Sequence, residues 1–409
     1  MANAGALDGV RVLDLSRVLA GPWATQTLAD LGAEVVKVER PGAGDDTRAW
    51  GPPEMAASDG RPAGSAYFHA ANRGKRSVAI DIARPEGAAL VRELAARSDV
   101  LVENFKVGGL KAYGLDWEAL RAVNPRLVYC SITGFGQDGP RAAEPGYDFM
   151  IQGMAGLMSV TGLPDGAPGG GPVKVGVALA DVMTGLYATI AILAALRHAE
   201  ATGEGQRIDM ALFDVTLAAM ANQASNFLAT GHPPGRMGNA HPNIVPYAVF
   251  PAADGHVIVA CGNDGQFARL AAAIGRPELA FEARFATNPA RVAHREALTA
   301  ILEAALAARP MDHWLAALAA AGVPAGPINT LDRALADPQA AHRRLRVDLD
   351  AGGGATVPSV ASPLRMTATP ARPRAAPPRL GQHTDEVLAE ALGHDAARIA
   401  ALRAAGAIG

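Results

Sequence analysis

Short glycine-rich and polar motifs lie where predicted strands end, and their residue types suit the binding of a ligand. In chain order they are RVLAGP (17–22), VERPGAGDDTR (38–48), NRGKRS (72–77), VENF (102–105), TGFG (133–136), GYD (146–148) and GVALADVMTG (176–185). Ligands of open α/β sheets bind in the crevice at the carboxyl ends of the strands. We therefore expect several of these motifs to contribute to one ligand site.

Asp181, in the last of these motifs, has a side chain that could act as a nucleophile. A predicted helix from Val177 to Glu200 places it in the first turn, where the helix dipole favours the ionised carboxylate. An aspartate at such a position also serves as a helix cap. The pattern alone favours the cap, so a catalytic role needs further support.

Motifs for several common chemistries are absent from the sequence. Ser16–Pro22, after the first predicted strand, lacks the GxGxxG of a dinucleotide loop, and Gly169–Lys174 does not match the phosphate loop GxxxxGK[ST]. Neither HExxH nor GxSxG occurs. His232 and His241 share one loop without an acidic partner pattern. These absences argue against a nicotinamide-dependent oxidoreductase, an ATP-dependent enzyme, a metalloenzyme and a serine hydrolase.

Alternating strands and helices position the motifs. Strands are predicted at Val10–Leu15, Glu34–Glu39, Asp99–Val102, Arg126–Ile132 and Arg207–Leu212. Helices are predicted at Pro22–Asp30, Pro85–Arg97, Asp116–Val123, Val177–Glu200 and Asp214–Thr230. This alternation is typical of a parallel sheet in a doubly wound α/β domain.

The pattern changes near residue 225, which predicts a second domain. Gly231–Pro246 is rich in Gly, Pro and Asn, and a hairpin pattern follows around Asp254-Gly255. Helices are predicted at Gln266–Ala273, Arg291–Ala308 and His313–Ala321, and a closing helical region at Asp385–Ala404. We expect a large domain over residues 1–225, a small α+β domain over 226–327, and a segment 328–409 that returns to the large domain.

Composition limits the class of protein. The 409 residues are 49% hydrophobic and 19% charged, which is enough for a sizeable core. Lys and Arg number 37 against 40 Asp and Glu, so no basic excess favours nucleic acid. Cys130 and Cys261 cannot build a disulfide framework or a cysteine zinc site. The start resembles no signal peptide and no run approaches about 20 apolar residues, so we expect a soluble cytoplasmic protein that binds no membrane.

Lysine usage singles out a few positions. The sequence has five lysines, in a chain that otherwise uses arginine, and all of them lie in the first half: Lys37, Lys75, Lys106, Lys111 and Lys174. A lysine retained in such a background is a candidate for a specific role.

Taken together, the motifs resemble those of the family III CoA-transferases, which include formyl-CoA:oxalate and carnitine CoA-transferases. The resemblance covers essentially the whole chain. It is carried by Leu13–Leu15, Arg17–Gly51, Tyr247–Asp264, Gly322–Asn329 and Leu380–Thr384. It implies a Rossmann-like large domain and an interlocked, ring-like homodimer. It also implies coenzyme A as part of substrate and product, with no metal, nicotinamide or ATP.

The resemblance also assigns a chemistry to Asp181, because the family's catalytic aspartate lies in the segment that here is GVALAD. The carboxylate would attack an acyl-CoA thioester to give an acyl-aspartyl anhydride and free thiolate. The thiolate would return to form an aspartyl-CoA thioester, and the acceptor acid would complete the exchange. One thioester replaces another, so no ATP is required.

By the same resemblance, CoA contacts fall on a set of residues spread over several motifs. They are Leu19 and Ala20 in the cleft, Arg40 at the nucleotide, the backbone around Ile80 and Ile82 at the adenine, Asn104, Phe105, Lys106, Lys111 and Tyr147. Lys106 and Lys111 are candidate phosphate partners. Where the oxalate enzyme has Arg, this chain has Ala112 beside Lys111, which weakens the assignment of Lys111.

Tyr147 separates two sub-families that share the Asp181 position. The α-methylacyl-CoA racemases have Gly-His-Asp where this chain has Gly146-Tyr147-Asp148. Their reaction needs a second acid/base group, and a phenol with a pKa near 10 replaces histidine poorly. CoA transfer is therefore the favoured function; racemase-type proton transfer and a non-catalytic CoA-binding role remain the alternatives.

The acceptor acid is predicted from finer resemblances. The oxalate enzymes have Gln where this chain has Leu19, which argues against oxalate. The motifs look most like those of succinyl-CoA:glutarate and related dicarboxylate transferases. A second carboxylate needs a cationic or donor-rich pocket, and the candidates for it are Arg17, Arg73, Arg236 and His241.

Overall fold

The computed structural model describes residues 5–372 and 375–409 and contains two compact units. The first unit lies within Met1–Ala155, Gly176–Ala219 and Pro338–Gly409, and the second comprises Gly156–Val175 and Met220–Asp337. Residues 156–175, which the sequence analysis assigned to the large domain, thus belong to the second unit.

Thirteen strands and seventeen α-helices are found in the described residues. The strands are β1 (Arg11–Asp14), β2 (Glu34–Glu39), β3 (Glu54–Ala56), β4 (Pro62–Ser65), β5 (Lys75–Ala79), β6 (Val100–Glu103), β7 (Val128–Thr133), β8 (Arg207–Ala211), β9 (Tyr247–Ala252), β10 (Gly255–Ala260), β11 (Ala325–Pro327), β12 (Arg346–Asp350) and β13 (Thr356–Val360). The helices are α1 (Ala20–Asp30), α2 (Ala66–Ala71), α3 (Pro85–Ala95), α4 (Trp117–Arg121), α5 (Asp148–Met154), α6 (Leu157–Val160), α7 (Leu179–Thr202), α8 (Leu212–Ala218), α9 (Ala221–Thr230), α10 (Asp264–Ala273), α11 (Asn288–Ala293), α12 (Arg295–Leu306), α13 (Met311–Ala320), α14 (Leu331–Ala336), α15 (Pro338–His342), α16 (Thr384–Leu392) and α17 (Ala396–Ala404).

The first unit is built on a six-stranded sheet in the order β5-β2-β1-β6-β7-β8, with every neighbouring pair parallel. The chain leaves β1 toward β2 and β5 on one side, and later returns to β6 on the other. The switch point of the sheet therefore lies between β1 and β6, which is where open α/β sheets bind ligands. The predicted α/β class with a parallel sheet is confirmed.

Side chains of this sheet alternate between two apolar cores. Leu13, Val36 and Leu101 point to one core with helices α3, α4, α16 and α17. Val12 and Val128 point to the other, which contains α1 and α7. Both faces of a parallel sheet must be covered by helices, so β2, β6 and β7 consist almost entirely of buried residues, whereas the edge strand β8 is largely accessible.

Helix α7 is the longest helix, with 24 residues. By length and composition alone it could cross a membrane, with a mean hydropathy of 1.8 over its most apolar window. Ala188, Ile192 and Ala195 are nevertheless fully buried in the core that α7 shares with α1. Such packing is typical of a core helix.

The second unit has its own core. Strands β11, β10 and β9 form an antiparallel sheet, in agreement with the predicted hairpin at Asp254-Gly255. Phe250, Phe267, Phe285 and Trp314 are buried in this core.

The observed elements differ from prediction at several places, including an unpredicted strand and two divided helices. Strand β5 was not predicted, because Lys75 and Arg76 make its start look like a surface loop. The helix predicted over 214–230 is two helices, α8 and α9, interrupted where Ala221 has a φ of 43°. The helix predicted over 291–308 is likewise divided, into α11 and α12 at His294.

Candidate active site

A cleft in the first unit lies at the carboxyl ends of β1, β6 and β7. Eight of the residues predicted for the site line it: Arg17, Leu19, Ala20, Asn104, Phe105, Lys106, Tyr147 and Asp181. The motifs that reach the cleft follow a strand of the sheet or begin a helix packed on it, whereas no residue of the motif at 72–77 lines the cleft. Predicted site residues as far apart in the chain as Arg17 and Asp181 are thus brought into one cavity.

Asp181 lies in the first turn of α7, as predicted. Its ionisation differs from prediction, however: burial, with a contribution from the negative charge of Asp148, raises the pKa of Asp181 to about 7. A helix dipole is worth roughly 0.3–1 kcal/mol to a nearby anion, which is less than the desolvation of a buried carboxylate. Desolvation of Asp181 therefore outweighs the helix dipole, and the role of Asp181 as the nucleophile stays a prediction.

Asp148 is the functional candidate that the sequence analysis missed. Its Oδ1 accepts hydrogen bonds from the backbone N–H groups of Ala180 (2.8 Å) and Asp181 (3.4 Å), at the start of α7. Its Oδ2 accepts from Gln152 Nε2 at 2.8 Å. Asp148 thus occupies the positive end of α7 that Asp181 was expected to use. The motif Gly146-Tyr147-Asp148 was noted, but only its tyrosine was given a role.

Tyr67 on α2 was also missed. Its pKa is raised by burial and then by the negative charges of Asp181, Asp148 and Asp45, so its phenol lies within the field of these carboxylates. The ring of Trp50 packs edge-on against it, with centroids 5.1 Å apart. The raised pKa keeps its hydroxyl protonated, so Tyr67 remains a hydrogen-bond donor.

Close contact of two glycines sets the position of Tyr147. A Cβ on Gly134 would lie 2.6 Å from the Cα of Gly146, so the loop after β7 and the start of α5 can cross only because both residues lack side chains. Tyr147 follows directly and is the N-cap residue of α5. Its side chain is 63% exposed, so at this wall of the cleft it is open to a ligand rather than packed in the core.

The Arg17 side chain is half exposed in the cleft. Its guanidinium pairs with Asp46 at 3.1 Å and lies 5.6 Å from the centroid of Phe105. The Asn104 amide is occupied by the Arg17 backbone: it accepts from Arg17 N at 2.9 Å and donates to Arg17 O at 2.7 Å. Asn104 therefore supports the loop, while Arg17 is accessible to a ligand.

Four predicted CoA contacts lie outside this cleft. Arg40 is exposed after β2. Ile80 is buried in the core, with its backbone next to Ile408, and Ile82 lies in a separate groove near Tyr113. Lys111 lines a hollow that adjoins the cleft and shares Lys106 with it. The assignment of these four residues to the nucleotide end stays a prediction.

Three of the acceptor-acid candidates are also outside the cleft. Arg73 is buried, and its Nε and Nη2 both donate to the Asp30 carboxylate, so the prediction for Arg73 fails because its guanidinium is already paired. Arg236 and His241 belong to the second unit. There Arg236 pairs with Asp165, and His241 packs against the ring of Tyr247.

No cluster of three or more His, Cys, Asp or Glu side chains that could hold a metal ion occurs within residues 5–372 and 375–409. Both cysteines are buried thiols, and burial raises the pKa of each. The charged residues that line the cleft are Asp46, Glu144 and the nucleophile candidate Asp181, together with the cations Arg17 and Lys106, which suit an anionic acyl substrate.

Comparison with known proteins identifies the family. The model of CoA-transferase family III matches residues 7–384. The chain belongs to this family. Family III CoA-transferases are enzymes that act on acyl-CoA, so coenzyme A is part of the substrate.

Three similar proteins extend this assignment. The succinate–glutarate CoA-transferase of Agrobacterium fabrum is 54% identical over 384 residues, covering 94% of this chain and 95% of that protein. The human succinyl-CoA:glutarate CoA-transferase is 43% identical, covering 100% of this chain and 91% of its own. The crystal structure of a CAIB/BAIF family protein from Brucella suis is 53% identical, with a TM-score of 0.83 over 95% of this chain and 100% of that one.

Proposed function

We propose that this family III CoA-transferase moves CoA from succinyl-CoA to a dicarboxylic acid, with glutarate as the acceptor, through covalent intermediates on Asp181. The observation that supports it best is the placement of the Asp181 carboxylate in the cleft with Leu19, Ala20 and Lys106. The identity of 54% to a succinate–glutarate enzyme supports the choice of acids.

The chemistry requires a carboxylate that is both reachable and reactive. Asp181 Oδ would attack the thioester carbonyl, forming the acyl-aspartyl anhydride and releasing CoA thiolate. The thiolate would then attack the Asp181 carbonyl of the anhydride, forming aspartyl-CoA and releasing succinate. Burial removes water from the carboxylate and raises its pKa to about 7, so the ionised form reacts as a poorly hydrated anion.

The second half of the reaction reverses these steps with a different acid. A carboxylate oxygen of glutarate would attack the aspartyl-CoA carbonyl and expel the thiolate. The thiolate would attack the glutaryl carbonyl of the new anhydride, which gives glutaryl-CoA and regenerates Asp181. One oxygen of the acceptor acid therefore remains on Asp181 after each turnover.

Oxygen transfer tests this mechanism directly. The protein would be incubated with succinyl-CoA and glutarate labelled with oxygen-18, and the peptide containing Asp181 analysed by mass spectrometry. Incorporation of oxygen-18 at Asp181 together with labelled glutaryl-CoA is expected. Formation of glutaryl-CoA without label at Asp181 would contradict the covalent route. Solvent deuterium at the α-carbon of a 2-methylacyl-CoA, without any new ester, would instead indicate a racemase.

We further propose Arg17 as the partner of the distal carboxylate. Among the four candidates it is the one that lines the cleft with Asp181, and its side chain is 48% exposed. Arg17→Gln is expected to raise the KM for glutarate more than the KM for a monocarboxylic acid, because it removes a charge that pairs with the second carboxylate. Equal changes for both classes of acid would exclude this role.

We also infer a homodimer. Helices α5 and α7 leave a group of large apolar side chains exposed, namely Met150, Met154, Tyr187 and Ile190. Contiguous exposed apolar surface is typical of an interface. Sedimentation at micromolar concentration is expected to give twice the 42.0 kDa of one chain, and a sedimenting monomer would contradict the inference.

A further inference from the structure

The turn Ser16–Val18 is strained and is the last segment before the cleft residues Leu19 and Ala20. Val18 has a φ of 71°, a conformation that a β-branched residue rarely adopts. Such strain persists only where the surroundings hold it, and it concentrates at functional sites. The contacts that hold Val18 in this conformation therefore indicate the function of the turn.

Side chains from other elements bind four consecutive backbone groups of this turn. Lys37 Nζ donates to Ser16 O at 2.7 Å. The Asn104 amide bonds both Arg17 N and Arg17 O. Asp45 Oδ1 accepts from Val18 N at 3.2 Å. No peptide group from Ser16 O to Val18 N is left to adjust freely.

Two of these three side chains form an ion pair that is fully buried. Lys37 Nζ lies 2.9 Å from Asp45 Oδ2, and both side chains are 0% exposed. Burial alone would lower the pKa of Lys37, but the carboxylates of Asp14, Asp45 and Glu39 raise it above its usual value. Burial would raise the pKa of Asp45, but Lys37 and the Thr47 N–H lower it. Both groups therefore remain ionised.

Asp45 is itself held in place, so it can act as a fixed anchor. Its Oδ1 also accepts from Thr47 N at 3.0 Å and from Thr47 Oγ1 at 2.8 Å, and its own backbone N–H donates to Glu39 Oε2 at 3.0 Å. These bonds connect the end of β2 to the turn after β1. A buried ion pair is weak evidence for stability, because desolvation offsets its attraction. Its placement on a strained turn argues for positioning instead.

We propose that Lys37 and Asp45 are positioning residues: together they hold the Ser16–Val18 turn in its strained conformation, so that Leu19 and Ala20 form the wall of the cleft that receives the CoA ester. The identity of the ligand rests on the proposed function. The position of the turn does not, since it follows from contacts within the first unit.

Asp45→Asn is the variant that tests this role, and Asp30→Asn is its matched control. Three donors surround Asp45 Oδ1, so the new amide nitrogen would face the Lys37 ammonium and push it away from Ser16 O. Asp30 is an equally buried aspartate of an ion pair, with Arg73, but it lies at the far end of α1 from the turn. Asp30→Asn is therefore expected to lower the free energy of unfolding without changing the contacts of the Ser16–Val18 turn.

Two measurements on the folded proteins separate positioning from general destabilisation. Titration calorimetry with CoA is expected to show a Kd about tenfold higher for Asp45→Asn and unchanged for Asp30→Asn. Amide hydrogen exchange is expected to be faster at Arg17 and Val18 in Asp45→Asn alone. A Kd that stays at the parent value, or rises equally in both variants, would overturn the proposal.

The double variant Lys37→Met/Asp45→Asn covers the case in which the single variant does not fold. It leaves no unpaired charge in the interior, yet it still removes the donor to Ser16 O. The same weaker CoA binding and faster exchange are expected, and parent-like values would overturn the proposal. Transfer of CoA between acids is assayed separately on the parent protein, so failure of the proposed function is distinguished from failure of the positioning role.

Discussion

The two units of this protein treat buried charge in opposite ways. Beneath the cleft of the first unit, Asp14, Lys37, Glu39, Asp45 and Lys75 are all nearly or fully inaccessible to solvent. In the second unit, among the residues that the structure describes, Arg291 is the one buried polar or charged side chain. The first unit has a charged layer directly under its ligand site, whereas the second has an ordinary apolar core.

The partners of these groups explain the difference. Arg291 pairs with the half-exposed Asp264 at 2.7 Å. It also donates to Val245 O at 2.6 Å and Phe285 O at 2.9 Å, so it satisfies loop carbonyls that would otherwise be buried without a donor. Lys37 and Lys75 pair with fully buried carboxylates, those of Asp45 in the loop after β2 and of Asp14 at the end of β1, and both segments lead into the cleft. Buried charge is thus structural in the second unit and serves the site in the first.

Asp181→Asn gives the largest expected effect. An amide cannot form the anhydride, so kcat should fall by roughly a thousandfold or more. The free energy of unfolding, by contrast, should be higher for Asp181→Asn than for the parent at neutral and higher pH. The pKa of Asp181 is raised to about 7, so ionisation opposes folding increasingly as pH rises from the unfolded pKa near 4 to about 7. Thermal unfolding should therefore show Asp181→Asn gaining stability over the parent at pH 8 and much less at pH 5.

Asp214→Asn is the control for this prediction, because Asp214 is an exposed aspartate in the first turn of α8. It should change neither kcat nor the pH dependence of stability. Parent-like turnover by Asp181→Asn would remove the basis for assigning the chemistry to the first unit.

Arg291→Met tests the structural half of the comparison. It leaves the carbonyls of Val245 and Phe285 buried without a donor, which should cost about 2–4 kcal/mol of unfolding free energy. Denaturant titration measures this loss. The kinetic constants of the folded protein should be unchanged.

Arg284→Met is the matched control for Arg291→Met. Arg284 also lies over a phenylalanine ring, at 4.9 Å from Phe285, but its side chain is 52% exposed. A loss within about 0.5 kcal/mol is expected for it. Equal losses from both substitutions would mean that burial of Arg291 contributes nothing special.

The sequence predicted well the features that depend on a regular pattern along the chain. Alternation of strands and helices predicted the parallel sheet, and the start of α7 was placed closely enough to locate Asp181 in its first turn. Strand β5 was missed because its two leading basic residues suggest a loop; Lys75 is buried there only because Asp14 neutralises it.

The features of the site that the sequence did not predict depend on polar contacts between residues far apart in the chain. The raised pKa of Asp181 depends partly on Asp148, which lies 33 residues away in the chain. Arg73 was predicted as a partner of the acceptor acid, but its guanidinium pairs with Asp30, which lies 43 residues earlier in the chain. Spacing along one sequence does not reveal such pairs. The unusual retention of Lys37 and Lys75 was the one local signal of the charged layer.

Gly185→Ala tests how closely the site depends on helix packing. A Cβ at this position would lie 2.7 Å from Ala20 O and 3.0 Å from Trp23 Cβ, so α7 would have to move away from α1. We expect a loss of about 1–3 kcal/mol in unfolding free energy, as for other overpacked cores. Because Asp181 and Ala20 would separate, kcat should also fall. At Gly255, by contrast, a Cβ would meet nothing within 4 Å, and Gly255→Ala should change neither quantity.

The pH dependence of kcat/KM gives the smallest effect and the finest test of the charged site. Attack requires ionised Asp181, whose pKa is raised to about 7 by burial and by Asp148. kcat/KM should therefore rise with pH to a plateau above 7, and at pH 6 lie about tenfold below it. Asp148→Asn keeps an oxygen for the Ala180 N–H but removes the like charge. Its profile should shift toward lower pH, so that it exceeds the parent in relative activity at pH 6. A flat parent profile between pH 5.5 and 8 would mean that solvent reaches Asp181 in the working enzyme. A variant profile that overlays the parent's would assign the whole shift to burial and leave Asp148 with only its role at the start of α7.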